Sequence, residues 1–94
     1  MEFAWDDEKN RINHRKHGIW FEEARTAFFD DDAIVYDDPD HSEKEERFLL
    51  LGLSSALRVL VVVHCIRNDG ETIRIVSARK ASNNERMSYP GGAS

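Results

Sequence analysis

Between residues 9 and 17 the chain reads Lys-Asn-Arg-Ile-Asn-His-Arg-Lys-His, four cations and two imidazoles with no acid among them. An imidazole exchanges protons near neutral pH and an ammonium holds a phosphate, so Lys16 and His17 side by side offer both functions. At a helix end the same pair would also complement the negative end of the dipole, an effect of about 0.3–1 kcal/mol. Arg79 offers a planar fork that matches two phosphate oxygens; a salt bridge to Glu85 or to an acidic segment is the competing use. The Tyr89 ring, one turn beyond Glu85, can stack on a base or pack into a core. Metal ligation fits poorly. His14 and His17 lie only loosely on one side of a helix, His64 and Cys65 alternate across a strand, and neither C-x-x-C nor H-E-x-x-H occurs, so neither a metal site nor a cofactor is expected.

These residues need elements to carry them. Residues 2–5 read as a short strand. Asp6 is an N-cap, Asp7 and Glu8 suit the positive end of a first helix, and Gly18 suits its stop. On that helix Ile12 is the one strong hydrophobe, so its side is expected to face the sheet, carrying Lys16 and His17 to the core edge and leaving Arg11 and Arg15 in water. A second helix is predicted from about Trp20 to Phe29, with Phe21, Ala24 and Phe28 as its apolar stripe. Strands follow over Ala33–Tyr36, Arg47–Leu53, Arg58–Ile66 and Thr72–Arg79, with a turn at Asp37-Asp38-Pro39-Asp40. Ser82-Asn83-Asn84-Glu85 is a capping box, opening a last helix that must stop near Pro90. The order β-α-α-β-β-β-β-α predicts an α+β domain over residues 1–90, an antiparallel sheet of four to five strands with two N-terminal helices and one C-terminal helix; 91–94 read as a flexible tail.

Asn68-Asp69-Gly70 marks a tight hairpin between the last two strands. Pairing Asn68 with Glu71 and running the ladder regularly puts Arg79 on the face of Ile73 and Ile75, and Lys80 on the opposite face. Both faces are apolar at mid-strand. Either the last helix and the tails cover the second face, or a partner chain completes it.

Charge is segregated. Of the net −5, residues 30–46 carry nine acids against Lys44 alone, so the remainder holds twelve bases against nine acids. Such polarity fits an anionic ligand at one surface and a basic partner at Asp30, Asp31 and Asp32 at another. No apolar run is long enough to span a membrane. The N-terminus lacks a signal-peptide pattern and the one cysteine cannot pair internally, so a cytoplasmic location is expected.

Three stretches resemble the BrnT toxin family: Phe3-Ala4-Trp5-Asp6 with Lys9-Asn10; Arg15-Lys16-His17-Gly18 leading into Phe21-Glu22-Glu23-Ala24; and Arg74-Ile75-Val76-Ser77-Ala78-Arg79-Lys80-Ala81 followed by Glu85-Arg86 and Tyr89. Each is short, but their order and spacing together are specific and span nearly the whole chain. The resemblance implies a RelE-like fold, metal-free RNA cleavage that arrests translation, and a BrnA-type antitoxin carrying a ribbon-helix-helix domain. Operator DNA would be reached only through that antitoxin, and the complex leaves room for a toxin dimer. His17 or Lys16 would then be the base, Arg79 the charge stabiliser, and Tyr89 a stacking or proton-relay residue; Lys9, Lys80 and Arg86 would contact RNA. A non-catalytic RNA- or antitoxin-binding module is the alternative. Trp20 departs from the family, which often has a small polar residue there to cap the second helix; Trp20 is instead left for a ligand or partner.

Overall fold

The computed structural model describes residues 1–39 and 45–91. Its strands are β1 (Glu2–Ala4), β2 (Ile34–Asp37), β3 (Phe48–Leu53), β4 (Val59–Arg67) and β5 (Thr72–Lys80); its helices are α1 (Asp7–His17), α2 (Phe21–Thr26) and α3 (Asn83–Ser88). The strands form one sheet in the order β1-β5-β4-β3-β2. From β2 to β5 it is the antiparallel meander expected, whereas β1 pairs with β5 in parallel, Glu2 beside Thr72 and Ala4 beside Arg74. A parallel neighbour needs a long return connection, and everything between β1 and β5 supplies it. The predicted turn at 37–40 and tail at 91–94 lie partly outside the described residues.

Local signals act as read. Asp6 accepts from the Lys9 N–H at 3.0 Å, and Gly18 ends α1 with φ of 73°, a left-handed conformation that costs glycine little. The second helix is shorter than expected: α2 passes at Ala27 into a 3-10 turn over Ala27–Phe29. That turn lies so close on β3 that a Cβ at Gly52 would sit 2.9 Å from the Ala27 carbonyl oxygen. One sheet face, formed by Leu50, Leu60, Val62, Ile73, Ile75 and Ala78, is buried under Ile19, Phe21, Ala24 and Ala27. On the other, Leu51 and Val61 are covered by Tyr89, which reaches back from beyond α3.

Candidate active site

The seating of α1 differs from the sequence expectation. Ile12 is 41% exposed, while Asn10 and Asn13 are 6% and 5% exposed. The reason lies at the edge of β5. Pairing with β1 stops at Arg74, so further along β5 the outward backbone groups have no strand to meet. Asn13 takes that place: its Nδ2 donates to the Ala78 carbonyl at 2.8 Å and to the Ile19 carbonyl at 2.9 Å, and its Oδ1 accepts from the Ala78 N–H at 3.0 Å. Buried backbone groups must be paired, and here a side-chain amide pairs them. Lys16 and His17 flank the Asn13 side of α1 at about −60° and +40°, yet both are exposed, as Arg11 and Arg15 are, and neither lines the cavity where β4 begins. Neither makes a hydrogen bond or ion pair among the described residues.

A β-bulge alters the far end of β5. His64 pairs with Ile75 but Val63 pairs with Ser77, so Val76 is the extra residue. Beyond it every side chain changes face relative to a regular ladder. Ala78 joins Ile73 and Ile75 in the helix-covered core. Arg79 turns to the α3 face, where its Nη1 and Nη2 donate to the Glu85 carboxylate at 2.7 and 2.8 Å. The expected placement of Arg79 beside Ile73 and Ile75 is therefore corrected, and Lys80 takes the opposite side from the one expected.

Where β4 begins and β5 ends, a cavity of about 360 Å³ opens between the Leu53–Val59 connection and α3. Its cations are Arg58, Lys80 and Arg86; Leu53, Leu57, Ala81 and Tyr89 form the walls. Arg58 is held by Glu23, donating through Nε to Oε2 at 2.9 Å and through Nη2 to Oε1. That hydrogen bond, joined by one from the Ser54 hydroxyl, keeps the Glu23 carboxyl below its ordinary pKa. Lys80 and Arg86 make no ion pair among the described residues and face solvent.

Of the residues singled out from sequence, Lys80, Arg86 and Tyr89 meet at this cavity. Tyr89 is 6% exposed and its hydroxyl donates to Asp30 Oδ2 at 2.5 Å, so its ring is wall rather than free stacking surface. Burial, and then Asp30, push that hydroxyl up to about 12. Asp30 also accepts from the Leu53 and Asp32 N–H groups, whereas Asp31 and Asp32 are exposed. Lys9 is exposed in the first turn of α1 and does not line the cavity. Sequence reasoning missed Arg58 and Glu23, which are 35 residues apart and carry no local signal of pairing. Among the described residues no three His, Cys, Asp or Glu side chains gather as a metal site.

A mixed five-stranded sheet with two helices on one face, a short helix at the other, and a cation-lined cavity at its end defines an α+β protein. Residues 5–85 match the family described as ribonuclease toxin, BrnT, of type II toxin–antitoxin system, and the chain belongs to that family. Its structure is similar to the crystal structure of the Brucella abortus ribonuclease toxin BrnT, with 25% identity, 88% of this chain and 99% of that chain covered, and a TM-score of 0.67. No curated protein matches the chain. Membership implies an RNA target and an antitoxin partner. Among the described residues no helix is long and apolar enough to cross a membrane.

Proposed function

We propose that this chain is a metal-independent endoribonuclease that arrests translation and is silenced by a BrnA-type antitoxin with a ribbon-helix-helix domain. The observation that carries the reading is the convergence of Arg58, Lys80 and Arg86 on one cavity in a protein of net charge −5. Cations gathered against that balance suit a phosphodiester whose charge grows in the transition state. The 2′-oxygen attacks phosphorus, its proton passing to the uncharged side chain of His17 or Lys16, which stand outside the cavity lining and act only where the bound RNA extends to them, and the bond from phosphorus to the 5′-oxygen breaks. The departing oxygen takes a proton from a rim cation, for which Lys80 is the candidate without an ion-pair partner among the described residues. The products are a 2′,3′-cyclic phosphate and a 5′-hydroxyl. Tyr89, with its hydroxyl committed to Asp30, is a poor acid and serves as wall. Arg79 joins the charge stabilisation only where phosphate displaces Glu85. Lys9 tracks the backbone further out. Asp31 and Asp32 contact the antitoxin, through which alone operator DNA is reached, and two toxins sit in the complex.

Incubating the purified protein with RNA in EDTA tests this. Cleavage to 5′-hydroxyl ends is expected. Activity restored only by a divalent ion would overturn the metal-free chemistry, and binding without cleavage would favour the non-catalytic module. Lys80→Ala and Arg86→Ala should each weaken RNA binding across sequences and flatten the dependence of log K on log salt by about 0.7. Lys9→Ala should do so less.

A further inference from the structure

Trp20 breaks a local rule at the start of α2. It stands at the N-cap of α2, where a small polar side chain would accept from the first turn, and it makes no such bond. Asn10 does that work from across the turn, its Oδ1 accepting from the Phe21 N–H at 2.7 Å. The Trp20 side chain therefore caps no backbone group of α2, and it belongs to neither core cluster. Its indole is nonetheless fixed in orientation. The His14 ring lies on one face, centroids 3.8 Å apart and planes 7° from parallel, and among the described residues no other ring stacks on it. Positions that violate local preference without structural gain are where function is expected.

Its surroundings name the ligand. Glu23 lies three residues on, in the first turn of α2, where its N–H donates to the Trp20 carbonyl at 3.1 Å, and its carboxylate grips Arg58 of the cavity. The turn that carries Trp20 is tied to β5 through Asn13, which bonds both Ile19 and Ala78, two residues before Lys80. Exposed Arg15, Lys16 and His17 precede it. A flat aromatic surface in the turn that opens the helix holding the cavity's Arg58 matches the way unpaired bases are held, ring on ring with the phosphate on cations. We propose that Trp20, held flat on His14, is a stacking platform for an unpaired RNA base whose phosphate lies among Arg58, Lys80 and Arg86. This rests on reading the cavity as the RNA site.

Binding and cleavage are read separately. Anisotropy with a short labelled, fully 2′-O-methylated RNA reports binding without a nucleophile, and kcat and KM on the unmodified RNA report cleavage. Trp20→Ala should weaken binding about 5- to 150-fold, the loss of one base–aromatic stack, and raise KM more than it lowers kcat. Trp20→Tyr should keep most of the affinity. Trp20→Ser restores a capping hydroxyl, so it should fold as stably as the parent and still bind weakly, which a merely structural role would not produce. A folded Ala or Ser variant with parental affinity and KM overturns the platform and leaves the ribonuclease reading intact. Trp20-dependent binding by a parent that never cleaves RNA keeps the platform and overturns the ribonuclease. A parent that neither binds nor cleaves RNA overturns both, and loss of antitoxin affinity with RNA binding and KM unchanged moves Trp20 to the partner interface, overturning the platform.

Discussion

Asn13 is the residue on which the site geometry turns, because one amide replaces a missing strand. Asn13→Ala would leave the Ala78 N–H and C=O and the Ile19 C=O unpaired in a buried setting. At about 1–3 kcal/mol for each such group that water does not reach, we expect a loss of roughly 2–4 kcal/mol, read as a lower urea midpoint. An unchanged midpoint would mean that water re-pairs the edge. His64 is the other buried polar residue with a measurable signature, enclosed by Phe28 and Phe48. Burial, only partly offset by its bond with the Val62 carbonyl, holds its pKa below the ordinary 6.5. As pH falls through 6.5 the unfolded chain therefore takes a proton that the folded chain refuses, and stability should decline. Urea midpoints at pH 7.5 and 5.5 should differ for the parent and converge for His64→Leu.

The short element α3 is held at both ends. Ser82 and Glu85 form the capping box, and the same Glu85 carboxylate grips Arg79 on β5, with Tyr89 anchoring the exit. Chiefly through Arg79, the Glu85 carboxyl is lowered to about 2 from an ordinary 4.5. Its stabilising effect is complete above pH 4.5 and is lost as pH falls from there toward 2, since only the unfolded chain protonates early in that window. Glu85→Gln should remove this acid-side loss. The pair is part-exposed, so Arg79→Ala should cost no more than about 1 kcal/mol of stability at neutral pH. If cleavage then falls far more than stability, Arg79 leaves Glu85 to act on phosphate; parental cleavage would make it only a strap for α3.

At the scale of the whole molecule the acidic turn abuts the basic cavity, Asp30 holding its Tyr89 wall and Asp32 lying against its Gly91. The cavity cations lie where β4 begins and β5 ends, and Asp31 and Asp32 stand exposed on the turn before β2. Asp30 belongs to the fold, tied to Leu53 and Tyr89, and is unsuited to a test of charge alone. Asp31→Asn with Asp32→Asn should slow association with the antitoxin at low salt and change dissociation little, because rim charges act mainly on encounter and are screened beyond about 8 Å at physiological salt. Stopped-flow association measured against ionic strength checks this. A rate indifferent to both salt and substitution would make these acids a solvated face.

Sequence alone determined what depends on near neighbours: the Asp6 cap and Gly18 stop of α1, the capping box of α3, the apolar strands and the positive-φ turn at Asn68-Asp69-Gly70. Each follows from the conformational preference of a few adjacent residues, and the ordered motifs were enough to carry the family. Tertiary structure decided whatever depends on register and on edges. The bulge at Val76 reverses Arg79 and Lys80, and no local pattern announces one unpaired residue inside a continuous apolar strand. The open edge of β5 makes two asparagines the buried face of α1, against the hydrophobicity of Ile12, because unpaired backbone groups cost more to bury than one isoleucine costs to leave half-exposed. The union of Glu23 with Arg58, and of Lys80 with Arg86, exists only once the sheet has brought distant segments together.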